Sequence, residues 1–285
     1  MEVVSIKQIG RKLRSFLQEY DDCFTRVEPR WNLYLYSKGQ LSDLPRKSVE
    51  PIALAAKVPP RTLQWFLSGT PWNHERLRDR LQWDVGANHG HARAIGVIDE
   101  SGNPKKGNHT CGVQRQWCGN TGKKDNCVVG VHLAYVVDDF QCLLDSDLYL
   151  PKVWADDPAR RLEAKIPEAV VYRKKVDIAL DQIRRSIGNG VRFSAFTFDE
   201  FYSRDREFLD GLEESGQNYV GEVPSDVHGW MNQPKILHKP TPAQLRKRGR
   251  KRQFPRISRQ TSRSSDVRNL AVHSPRFYRQ KWERF

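Results

Sequence analysis

Two acidic pairs in this 285-residue chain each close an apolar run: Asp99 and Glu100 follow AIGVI, and Asp199 and Glu200 follow FSAFTF. A buried strand that stops at a carboxylate places an acid at the rim of a sheet. Two such acids on neighbouring strands, about 4.8 Å apart, can share a pair of Mg²⁺ or Mn²⁺ ions at a separation of roughly 3.5 to 4 Å. That arrangement activates an attacking water or hydroxyl and stabilises the leaving oxygen of a phosphodiester. Strand pleat turns Glu100 and Glu200 to the opposite face, so Asp99 and Asp199 are the candidate ligands. Asp138, Asp139, Asp145 and Asp147 lie in or near a hairpin, where acids belong to turns or exposed faces.

For the two aspartates to meet, the elements between them must bring their strands together. AIGVI, VVGVHLAYVV (128–137) and CLLDSDLYL (142–150) read as strands, the last two joined by a turn at DDFQ. A helix follows, with Val176, Leu180, Ile183 and Ile187 on one face and a stop at Gly188 to Gly190. Then come FSAFTF (193–198), a second helix near 204–215, and YVGEV as a fifth strand. Three meandering strands followed by a right-handed crossover predict a mixed α+β domain over 93–223, with a ribonuclease H-like sheet in the order β-β-β-α-β-α-β. The strand ending at Asp199 then lies parallel to and beside the strand ending at Asp99.

Residues 1–92 read as helical and as a candidate DNA-binding domain. Ile6, Ile9, Leu13, Phe16, Leu17 and Tyr20 recur at three and four residues, and Ser5 with Gln8 matches a capping box. SVEPIALAAKVPPRTLQWFLSG predicts two short helices, one closing near Lys57 and the next opening at the prolines and stopping at Gly69. Such a pair fits a helix-turn-helix as well as a plain helical bundle. In the first case Arg61, Thr62 and Gln64 occupy the early turns of the reading helix.

Charge separates the last part of the chain from the rest. Of 48 Lys and Arg, 16 fall between Lys235 and Phe285, against only Asp266 and Glu283 among the 34 acids, which leaves 32 of each sign before it. The net charge of +14 therefore resides in residues 235–285, within a basic, Pro-containing segment, 224–285, whose densest run holds Arg246, Lys247, Arg248, Arg250, Lys251 and Arg252. Such clustering points to a polyanionic partner, since Lys and Arg bound to phosphate release condensed counterions. Lys105, Lys106, Arg115, Lys123 and Lys124, with Gln114 and Gln116, flank the first Asp and are further candidates for phosphate contact, while Trp117 reads as a core residue.

Other classes are disfavoured. The first residues lack the apolar block of a signal peptide and no apolar run reaches the roughly 18 residues of a spanning helix, so a cytoplasmic, nucleoid-associated protein without a membrane partner is expected. Five irregularly spaced cysteines fit reduced thiols. His109, Cys111, Cys118 and Cys127 offer zinc-type ligands but contain no C-x-x-C pair. No P-loop, dinucleotide fingerprint or GxSxG elbow is found, and no small-molecule substrate is expected.

Several long motifs then occur in one order: RVEPRWNLYLYSKGQLSDLPRKS (26–48), LQWFLSGTPWNHERLRDRL (63–81), VIDESGNPKKGNHTCGVQRQWCGNTGKKDNCVVGVHLAY (97–135), LYLPKVWADDPARR (148–161) and FTFDEFYSRD (196–205). Over about 26–223 the chain resembles DDE insertion-sequence transposases, in particular the IS seven-hundred-one group. The resemblance implies that Asp99 and Asp199 are the first two catalytic acids and that Mg²⁺ is the cofactor. It further implies that double-stranded DNA, at transposon ends and target, is the substrate, with self-association on it. It also implies a third acid, a Glu on a later helix. Here the chain stops at QKWERF with Glu283 two residues from the end, so a C-terminally truncated copy is expected, the alternatives being a non-catalytic remnant that occupies transposon ends and a structure-selective nuclease on the ribonuclease H-like fold.

Overall fold

The computed structural model describes residues 3–238 and 254–273, with side chains from residue 9 onward. The chain divides into two compact units, Met1–Ala92 with Gln182–Arg192, and Arg93–Asp181 with Phe193–Phe285.

The first unit holds α1 (Val3–Gln18), α2 (Val27–Gln40), α3 (Val49–Ala55), α4 (Pro60–Ser68) and α5 (His74–Asn88). Leu35, Ile52, Ala53 and Leu63 form one buried cluster, and Tyr20, Cys23, Phe24 and Phe66 another. Helix α2 meets α3 closely because Gly39 has no side chain: a Cβ there would lie 2.3 Å from Ile52 Cγ2. Pro60 opens α4, as its fixed φ and missing N–H suit a first turn, and the preceding turn passes through Lys57 at φ +56°. Leu63 and Phe66, three residues apart, bury one face of α4. The predicted cap at Ser5 is not used. Helix α1 already runs through Val3 and Val4, whereas a cap residue needs non-helical backbone.

The second unit carries a mixed sheet built from β1 (Ile95–Pro104), β2 (Gln114–Cys118), β3 (Lys123–Val137), β4 (Phe140–Leu148), β5 (Ala195–Phe198) and β6 (Tyr219–Gly221). Among the described residues it is six-stranded, in the order β2-β3-β1-β5-β6 with β4 also on β3. Strands β1 to β4 pair antiparallel, while β1, β5 and β6 run parallel. Parallel neighbours need crossovers, supplied by α6 (Lys152–Ala155), α7 (Pro158–Glu163) and α8 (Lys175–Gly188) before β5, and by α9 (Glu200–Ser203) and α10 (Arg206–Glu214) before β6. From Gln182 onward, α8 belongs to the first unit.

Strand β3 shows why the sheet has two unlike faces. Cys127, Val129, Val131, Leu133 and Tyr135 are buried while Gly130, His132, Ala134 and Val136 are half-exposed, the period of two expected when one face packs and the other is open. Phe198 packs edge-on against Phe208 with ring centres 5.0 Å apart. Gly96 leaves room for the neighbouring ring: a Cβ there would stand 2.4 Å from Phe196. The hairpin between β3 and β4 turns on two residues, Asp138 and Asp139, with Asp138 at φ +49°, a left-handed conformation that Asp tolerates better than most residues. Past β6, the described residues form two small two-stranded sheets and a helix, α11 (Val267–His273).

Two features depart from the sequence reading. Strand β1 does not stop at its acidic pair but continues to Pro104, and QRQWC forms an added strand, β2, against an earlier start of β3 at Lys123. Both have one cause: β3 is long enough to pair with β1 over ten residues and with β2 over five, and that pairing outweighs the weak strand preference of Ser, Gly, Asn and Lys.

Candidate active site

Asp99 therefore lies in the middle of β1, but at the end of the parallel ladder. That ladder pairs Ile95 with Ala195, Gly96 with Phe196 and Val97 with Thr197. Carried two residues further, the same offset sets Asp99 opposite Asp199. There β5 has ended and Asp199 caps α9, its Oδ1 accepting the Phe201 N–H at 3.0 Å. Asp99 is exposed, and its Oδ1 accepts the N–H of Glu100 at 2.7 Å.

On the open face Asp99 has His132 directly across the β1–β3 ladder. The imidazole is hydrogen-bonded at both nitrogens, Nε2 with Ser101 Oγ at 2.7 Å and Nδ1 with Ser146 Oγ at 2.9 Å. Burial holds its pKa below the usual histidine range, opposed by the nearby charge of Asp99. The two serines fix the ring beside the aspartate.

The opposite face holds a feature that the sequence did not reveal. Glu100 pairs with Lys175, the first residue of α8, and both side chains are largely buried. Burial pushes the Glu100 carboxyl above its ordinary range, Lys175 works against that shift, and the charges of Asp199 and Asp99 add to it. Tyr202 is fully buried, its hydroxyl has no hydrogen-bond partner, and its pKa is raised by burial and then by Glu100, Asp199 and Asp99. Three carboxylates thus share one neighbourhood, although among the described residues no three His, Cys, Asp or Glu side chains converge as metal ligands. Two carboxylates are still a suitable donor set for Mg²⁺ or Mn²⁺, hard cations that take one or two protein carboxylates and fill the remaining positions with water and phosphate oxygens.

The family model for the DDE superfamily endonuclease matches residues 19–284. The chain belongs to this superfamily. The chain is also 31% identical, over 214 residues and 74% of its length, to the probable transposase for insertion sequence element IS701 of Microchaete diplosiphon. It spans about half of that relative's length, 53%.

The remaining candidate residues of the chain fall into separate groups. Arg61 and Gln64 are exposed on α4 beside Trp65, and Thr62 is half-buried. Lys105 and Lys106 lie in the loop after β1, Arg115 on β2, and Lys123 and Lys124 at the start of β3. Trp117 is 61% exposed, not in the core: it pairs with Lys124 across the β2–β3 ladder, two residues from Arg115. Alternation along β3 puts Lys124 on the same face of that strand as His132, across from Asp99. The zinc-type residues take other roles. Cys118 and Cys127 pack with Val129 in a buried cluster, their thiols donating to the carbonyls of Gly102 and Trp117, and burial pushes the Cys127 pKa up to about 11. Arg246 to Arg252 and Glu283 lie outside the described residues. Among the described residues no helix is long and apolar enough to cross a membrane.

Proposed function

We propose that the chain is an insertion-sequence transposase in which Asp99 and Asp199 hold the divalent metal for cleavage and strand transfer at transposon ends. The observation that supports this reading is the common offset of the parallel ladder, which, carried two residues past its last pair, matches Asp99 with Asp199 just beyond the end of β5. The antiparallel meander followed by two parallel strands supports a ribonuclease H-like arrangement of the sheet. Family membership supports divalent-metal endonuclease chemistry, and the named relative supports an insertion-sequence end as the DNA.

In this reading the carboxylates of Asp99 and Asp199 hold the ion, Mg²⁺ or Mn²⁺, which when bound activates a hydroxyl nucleophile and stabilises the leaving oxygen. The protein's own share is placement. Asp199 is fixed by its cap to α9 and Asp99 by continuous pairing with β3. Arg115 and Lys124 hold the DNA backbone on the face of β3 that carries His132, with Lys123 at the strand's start beside them, and Trp117 offers a ring for a base. Helix α4 presents Arg61 and Gln64 to base edges at the transposon end. Self-association on DNA would bring two ends together.

The test is nicking of labelled end DNA in Mg²⁺ by the parent chain and by Asp99→Asn and Asp199→Asn, with DNA affinity measured alongside. Both variants should bind DNA within about twofold of the parent and lose nicking by orders of magnitude, because neither nucleophile nor leaving oxygen is then held. A variant that cuts normally removes that residue from the metal site. A parent that binds end DNA without cutting it makes this chain a DNA-occupying protein.

A further inference from the structure

Lys175 joins the backbone segments on which both aspartates depend. Its ammonium pairs with Glu100, the neighbour of Asp99 on β1. It also sits 5.4 Å from the ring centre of Phe201 and 5.4 Å from that of Tyr149. Phe201 is the residue whose N–H bonds to Asp199 Oδ1, and Tyr149 follows β4 directly. A single cation with its side chain only 16% exposed thus touches the strand of the first aspartate and the helix capped by the second. Aromatic faces and a carboxylate are what a desolvated ammonium requires.

We propose that Lys175, acting through Glu100 and Phe201, is the positioning residue that holds Asp99 and Asp199 in register for metal binding. Lys175 does not touch the metal or the DNA; it fixes the two backbone segments from behind the sheet and offsets the charge of the third carboxylate. The inference rests on the reading of the two aspartates as metal ligands. Supporting groups of this kind, when removed, typically cost 10- to 100-fold in metal affinity or activity.

The experiment measures Mn²⁺ binding to the 285-residue chain by loss of the free-ion paramagnetic resonance signal, beside Mn²⁺ dependence of nicking, DNA affinity and melting temperature. Lys175→Met should require 10- to 100-fold more Mn²⁺ in both assays with DNA affinity unchanged. Lys175→Arg should recover most of that loss, because a guanidinium can still pair with Glu100 and stack between two rings. A folded Lys175→Met protein that binds Mn²⁺ within twofold of the parent overturns the inference. So does one that binds it more tightly, since Lys175 would then be masking Glu100 as a ligand. Should Lys175→Met fail to fold, Glu100→Gln decides: at least a severalfold weakening is expected, and parent-like affinity overturns the proposal. Equal Mn²⁺ binding by the parent and Asp99→Asn is a different result, which sinks the metal-ligand reading and this inference with it.

Discussion

A carboxylate that caps a helix and one that lies within a ladder answer differently to the same substitution. Asp199 does two things at once, since its Oδ1 closes the first turn of α9 while it faces the end of the β1–β5 ladder. Asn caps a helix as well as Asp does, but Ala cannot. Asp199→Asn should therefore unfold at nearly the parent's urea midpoint, and Asp199→Ala should be less stable than the Asn variant by about 1 kcal/mol. Both should lack metal-dependent nicking. If the two variants unfold together, the cap contributes nothing and Asp199 is held by other means. The two candidate aspartates could be singled out in the sequence because an apolar run followed by an acid is a local pattern. Lys175 was not, because a lysine at a helix start looks the same in sequence whether it is solvated or buried against Glu100, Tyr149 and Phe201, and only the tertiary fold brings those three to it.

The same division between local and long-range causes holds for whole elements. Helices α3 and α4 lie where the prolines and Gly69 put them, and β5, α10 and β6 follow the expected crossover order. What stayed hidden was β2 and the second half of β1. SGNP and QRQWC carry little strand character by themselves, and they are strands because β3 offers them backbone partners. The added strand also moves Trp117, which reads as a core ring in the sequence, out to solvent. Helix α4 offers the cleaner test of what an exposed face does. Its outer side carries Arg61, Gln64 and Trp65 while Leu63 and Phe66 anchor it. Replacing both Arg61 and Gln64 by Ala should cost about 1–3 kcal/mol for each base pair no longer read, and should do so on the transposon end only. Competition binding against random DNA checks this. An equal loss on both DNAs makes α4 a backbone-contacting helix and moves end recognition elsewhere.

At the scale of the molecule, the distribution of charge separates two kinds of DNA contact. Before Lys235 the chain is balanced in sign, so under the proposed function any DNA contact there falls to placed groups such as Arg115 and Lys124, not to a diffuse field. From Lys235 onward the basic residues outnumber the acids by 16 to two, and a polyanion would draw on them whatever its sequence. The two contributions separate in salt, because each phosphate neutralised adds about 0.9 to the slope of log K against log salt, whereas base readout adds almost nothing to it. Replacing Arg246, Lys247, Arg248, Arg250, Lys251 and Arg252 by Gln should therefore lower that slope by at most about 5, if all six touch phosphate. It should weaken binding to end DNA and random DNA alike, leaving their ratio intact. A titration of both DNAs across a range of salt concentrations reads slope and ratio together. An unchanged slope makes the six residues solvated bystanders, and a changed ratio assigns them a share in reading the end, which a purely electrostatic segment cannot have.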